Sequence, residues 1–146
     1  MSAAVHNKTM LGRLRTAPPF LFGALIIFVG IFVSDRYGLY WRFEHFDTTL
    51  HALGGLAAAW IGLVLLQQEI THLPSWKQVL IFVSFATLAG VLWEFAEFVV
   101  GTGEHVVPWL YRWFHGGDLP DTIMDLTADI IGALVLSLWA LAKERR

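Results

Sequence analysis

Apolar residues along the chain fall into four long blocks, roughly 17–33, 46–66, 78–100 and 122–142, separated by short polar stretches. Each block is close to the ~20 residues a helix needs to cross a bilayer. Within the last three, polar residues recur at i, i+3 or i+4, the spacing that places side chains on one helical face. The pattern predicts an all-α integral membrane fold: four transmembrane helices in an antiparallel bundle, forming a single domain over residues 1–146.

Composition agrees with that reading. Of 146 residues, 56% are hydrophobic and 15% charged, which is too apolar for an ordinary soluble domain of this size. All 10 Lys and Arg residues lie outside the blocks. Lys8, Arg13 and Arg15 precede the first block, Lys77 lies between the second and third, and Lys143, Arg145 and Arg146 follow the fourth. The other two connections hold Arg36, Arg42 and Arg112 among Asp35, Glu44, Glu104 and Asp118. The cation bias puts both termini in the cytoplasm, in a multi-pass inner-membrane arrangement. No small-residue cleavage site follows Val33, so the first block is read as an uncleaved span. With no cysteine, disulfides and thiolate metal sites are excluded, and no basic tract points to nucleic acid.

The two outward connections are rich in aromatic residues. Tyr37, Tyr40 and Trp41 lie in one, and Trp109, Tyr111 and Trp113 in the other. Rings with an apolar body and a polar edge settle at the headgroup level, so they read as anchors, with a lid as the functional alternative. Pro108 and Gly116–Gly117 would bound a short interfacial helix in the second connection.

Ionisable residues inside the spans change the picture. The second span opens "FDTTLHALGG", with Asp47 and His51 at i and i+4. The third ends "WEFAEFVV", with Glu94 and Glu97 at i and i+3. The fourth opens "DTIMDLTADIIGA", placing Asp121, Asp125 and Asp129 in an i, i+4, i+8 row. Alternating direction brings all three sets to the outer end of the bundle, within roughly 3–10 Å of the boundary for all but the outermost. Each polar row continues into small residues: Gly55, Ala59 and Gly62; Gly90 and Ala86; Ala133 and Ser137. Small residues line helix contacts in membranes, so the rows are expected to face a shared interior.

Two carboxylates ~5 Å apart repel by about 3 kcal/mol at an effective dielectric of ~20. No Lys or Arg lies within the spans to offset this, so some acids are protonated or a cation sits among them. Glu94, Glu97, Asp125 and Asp129 lie too deep for helix capping, and intramembrane acids are site candidates by default. Asp118 reads as a cap, Asp121 equally as first-turn or site residue, and Asp47 is similarly open. His51 is either a satisfied interface histidine or a ligand; its row-mate and the facing acids favour the site. His45, His105 and His115 read as loop residues, and Trp93 and Trp139 as packing.

At "FDTTLHALGG", "WEFAE" and "DTIMDLTADIIGA" the chain resembles the YjdF-like bacterial inner-membrane proteins, with a looser similarity to VanZ-like proteins linked to glycopeptide resistance. That resemblance implies an Asp-x-x-x-His helix, an acidic pair, and an Asp-x-x-x-Asp leading into a Gly-Ala helix. It marks Asp47, His51, Glu94, Glu97, Asp121 and Asp125, with Asp129 continuing the row.

The chemistry expected is one divalent ion (Zn, Mn or Mg) held by His51, Glu94, Glu97 and Asp125, because one imidazole among several carboxylates suits a hard cation. Asp47, Asp121 and Asp129 would support the ligands or relay protons. Such an ion would act on a lipid-linked or cell-envelope substrate, with no organic cofactor. The alternatives are proton- or cation-coupled transport through a homo-oligomer, or an accessory subunit of a larger membrane complex whose acids hydrogen-bond across helices. There is no nucleophile motif, phosphate-binding glycine loop or zinc-protease signature to decide among them.

Overall fold

The computed structural model describes residues 9–102 and 117–144. These residues are helical apart from short turns. Helix α1 (Thr9–Phe28) runs through a π turn (Val29–Val33) into α2 (Ser34–Tyr37). Gly38 ends that run in the left-handed region at φ 62°, where a side chain would be strained. A short α3 (Leu39–Arg42) leads into α4 (Phe46–Ile70), followed by α5 (Ser75–Thr102) and α6 (Leu119–Glu144).

Among the described residues, four stretches are long and apolar enough to cross a membrane: Ala17–Tyr37, Phe46–Ile70, Ser75–Val100 and Leu119–Lys143. They contain the four predicted blocks and overrun most of their ends. The extra turns are polar: Gln67, Gln68 and Glu69 are good helix formers, so the helix outlasts the apolar run that marks it. At the start of α6, Asp118 caps as expected, its Oδ1 accepting the Asp121 backbone N–H at 3.2 Å.

Helices α4, α5 and α6 pack on one another, most extensively α4 with α6, while α1 packs chiefly on α4. The α4–α6 contact is a backbone contact. A Cβ at Gly55 would collide with the Asp129 main chain, and one at Gly132 with the Ala52 carbonyl. Further along, Ala59, Ala86 and Ala133 are fully buried in one cluster with Phe82 and Ile70, and Ser137 is buried beside it. The predicted small-residue seam is therefore the core. Large apolar residues point the other way: Leu88, Leu92, Phe95, Phe98, Ile131 and Leu138 are all exposed on the outer faces. A lipid-facing bundle requires this inversion, because lipid rather than the interior receives the bulky side chains.

The close approach yields a direct test. Gly55→Ala should lower stability by about 1–3 kcal/mol through overpacking against backbone that cannot yield. At Gly23 a Cβ would meet nothing nearer than Ile61 at 3.9 Å, so Gly23→Ala should be neutral or slightly stabilising. Unfolding midpoints in detergent check the pair, and equal midpoints would contradict the backbone contact.

A candidate histidine–carboxylate site

The starts of α4 and α6 and the last turns of α5 bring the polar rows together. His51 is their centre, with 6% of its surface exposed. Its Nδ1 lies 3.3 Å from Asp129 Oδ2, and its Nε2 lies 3.7 Å from Glu94 Oε1. Nδ1 is thus the ring nitrogen that can donate to the Asp129 carboxylate, and Nε2 is the one that faces Glu94.

Two groups of potential donors share this histidine. One is Asp47, His51 and Asp125; the other is His51, Glu94 and Glu97. In each group, one donor atom per residue lies within 4.8 Å of the others. Asp125, Asp129 and Glu97 are buried, at 2%, 4% and 7% exposure. Glu94 Oε1 and Asp125 Oδ1 are buried oxygens without a hydrogen-bond partner among the described residues. Buried polar atoms are ordinarily satisfied, so two such oxygens in one cluster require a physical reason.

Glycines let the acids sit this deep. A Cβ at Gly90 would strike the Asp129 carboxylate, whose Cγ is 3.1 Å from that position. The carboxylate therefore lies against the α5 backbone while Asp129's own main chain lies against Gly55 of α4. Asp121 is placed differently. It is half-buried, its carboxylate folds over Gly117, and it belongs to neither donor group. Its position is that of the first-turn acid at a helix start.

Two residues read from sequence as packing or anchor belong here instead. Trp93 donates its indole N–H to Glu97 Oε1 at 2.8 Å and so orients one of the acids. Its i, i+4 spacing from Glu97 was the available signal. Tyr40 is half-buried, and its hydroxyl donates to the Gly30 carbonyl at 3.3 Å, where Ser34 Oγ also donates. The π turn places that carbonyl where both hydroxyls reach it. Burial, and then the Asp47 carboxylate, push the Tyr40 phenol above its ordinary value, so it remains a donor. Tyr37 and Trp41, by contrast, are exposed, as anchors should be, and His45 is an exposed turn residue. Trp139 is also exposed, with the Lys143 ammonium 5.3 Å from its ring centroid. Trp109, Tyr111, Trp113, His105, His115, Pro108 and Gly116 lie outside the described residues, so the choice between anchor and lid for that connection does too.

Beside the cluster lies a cavity of ≈ 220 Å³ between α1, α4 and α5. Tyr40, Asp47, His51, Trp93 and Asp129 line it from the polar end, and the remainder of its wall is apolar.

Among the described residues, four long apolar helices, three of which bring together a buried histidine and its carboxylates, define a helical membrane protein. The chain belongs to the family described as predicted membrane protein, DUF2238, which it matches over residues 4–146, and YjdF is a member of that family. No curated protein and no solved structure matches the chain.

The His51–Asp129 pair has a measurable consequence. A double-mutant cycle of His51→Gln and Asp129→Asn, read by unfolding in detergent, should return a coupling of about 0.5–3 kcal/mol. Additive effects would mean that the two groups do not act as a pair.

Proposed function

We propose that His51, Glu94, Glu97 and Asp125 bind one divalent cation in the outer half of an antiparallel, single-domain bundle with both termini cytoplasmic. The observation that carries this reading is the pair of buried oxygens without a hydrogen-bond partner, Glu94 Oε1 and Asp125 Oδ1, set among carboxylates that no Lys or Arg pairs with among the described residues. A cation supplies what these oxygens lack and cancels the repulsion between the acids. The histidine supports the same reading. A metal-binding imidazole typically donates its second N–H to a carboxylate, which is the relation between His51 and Asp129. Asp129 is then the orienting partner, Asp47 stands beside the ligands, and Asp121 lies at the rim.

An ion in this position would polarise a phosphoryl or carbonyl oxygen, or activate water, at the outer leaflet of a bacterial inner membrane. A lipid-linked cell-envelope compound is the substrate class that reaches such a depth. Glu97 would enter the ligand set with one oxygen held by the Trp93 indole, which limits its rotation.

Purified wild type, supplemented with Zn²⁺, Mn²⁺ or Mg²⁺ in chelator-free buffer, should retain about one divalent ion per chain by elemental analysis. Glu94→Gln and Asp125→Asn should abolish retention, Asp129→Asn should weaken affinity by about 10–100-fold, and Asp121→Asn should leave it unchanged. A wild type that binds none of these metals would overturn the proposal.

One observation favours a second reading. His51 bridges Asp129 on α6 and Glu94 on α5, a sequence of proton-accepting groups that crosses the bundle. Proton or cation flux in reconstituted vesicles, lost in His51→Gln, would support coupled transport; absence of flux in wild type would exclude it.

A further inference from the structure

The cavity beside the cluster is shaped as a groove, and its two ends differ in chemistry. Its long walls are formed by Ile26 and Ile27 of α1, Ala58 and Ile61 of α4, and Ala86 and Ala89 of α5. Its polar end is formed by Tyr40, Asp47, His51 and Asp129. From His51 to Ile61 the α4 wall rises ~15 Å along the membrane-spanning direction. Ile27 both lines the groove and is 47% exposed, so the groove opens sideways onto the lipid-facing surface. The opening follows from packing, since α1 leans chiefly on α4 while α5 leans on α4 and α6.

We propose that this groove holds one hydrocarbon chain of a membrane lipid whose phosphate head reaches the His51 cluster and completes the coordination of the cation there. This rests on the cation reading above and narrows its substrate class to lipids with a phosphate head. The chain enters from the bilayer and gains little by doing so, because lipid tails are as apolar as the groove. The head therefore decides what binds. A phosphate would be repelled by Asp47, Glu94, Glu97, Asp125 and Asp129 on their own. With a divalent ion in place, phosphate oxygens are the hard donors that such ions take alongside one or two carboxylates. Phosphate binding is accordingly conditional on the metal.

The test uses the full-length protein in lipid nanodiscs with a single-chain alkyl phosphate carrying a photoactivatable group in its chain, beside the matching alkylamine and alcohol. With Mn²⁺ present, labelling by the phosphate probe should be saturable and map by mass spectrometry to the peptides containing Ile26–Ile27 and Ala58–Ile61. Removing the metal should reduce it by about tenfold or more. Gly23→Leu should fill the groove, since a Cβ at position 23 meets only ordinary contacts with Ile61 and Ala57. It should remove the groove labelling while the metal content stays at the wild-type level. Ala89→Leu, on the facing wall, should do the same without touching α1.

Non-saturable labelling spread over outward residues such as Leu92 and Leu138, unchanged in both groove variants, would overturn the proposal while leaving the metal site standing. A metal-free wild type whose groove is labelled best by the alkylamine would overturn both the phosphate head and the cation reading. Metal-loaded protein that takes the alcohol as well as the phosphate would refute the head assignment alone.

Discussion

The architecture depends on how closely α4 approaches α6. At Gly55 and Gly132 the two backbones touch with no side chain between them, and Asp129 lies at the crossing. Its main chain rests on Gly55, its carboxylate rests on Gly90 of α5, and its Oδ2 meets His51. One residue thus joins three helices through contacts of different kinds. In a bilayer, packing of small residues and interhelical hydrogen bonds replace the hydrophobic drive that would close a soluble bundle. Here both forces act at the same point. The element that closes the fold is also an element of the site, so the acids are fixed by the packing rather than appended to it.

This coupling bears on the electrostatic problem. Inserting the third span is not difficult despite Glu94 and Glu97, because its Leu, Ile, Val and Phe residues return roughly 4–8 kcal/mol against the cost of two off-centre acids. Holding the acids together is harder. Asp125, Asp129 and Glu97 are buried within a cluster in which His51 is the only basic side chain ion-paired with an acid among the described residues. Hydrogen bonds from His51 and Trp93 satisfy Asp129 and one oxygen of Glu97. They do not extend to Glu94 Oε1 or Asp125 Oδ1. The internal network therefore accounts for part of the cluster and leaves one buried oxygen on α5 and one on α6 without a hydrogen-bond partner among the described residues.

The spans and the polar rows were legible in the sequence for simple reasons. Bilayer thickness sets the length of an apolar run, and helical periodicity sets the spacing of residues that share a face. The seam of Gly55, Ala59, Ala86 and Ala133 followed from the same spacing. Helix ends were less legible, because Gln67–Glu69 continue the helix without continuing its apolarity. Trp93 and Tyr40 were misread because an aromatic in an apolar run looks like packing and one at a boundary looks like an anchor. Their roles depend on a single polar atom meeting Glu97 or Gly30, which hydropathy does not encode. Nor do adjacent glycines differ in sequence: Gly55 is pressed against backbone, whereas at Gly54 the nearest atom to a Cβ would be 3.7 Å away. That distinction arises only when α6 is in place.

The groove was illegible for a related reason, and its position explains why it matters. It exists because α1 and α5 both stand beside α4 without closing on each other, a property of three helices at once. Its walls are built from the small residues and short aliphatics that would otherwise seal a seam. Had α1 packed into the bundle as α6 does, the polar cluster would be enclosed and reachable only from the aqueous end. Instead the cluster opens toward lipid along a path lined by Ile26, Ile27 and Ala58. An apolar path gives a hydrocarbon chain no reason to prefer it over the bilayer, so discrimination falls to the groups at its end. There the groove meets His51 and Asp129, the same pair that closes the fold, and any molecule lying in it is read by the residues on which the bundle already depends.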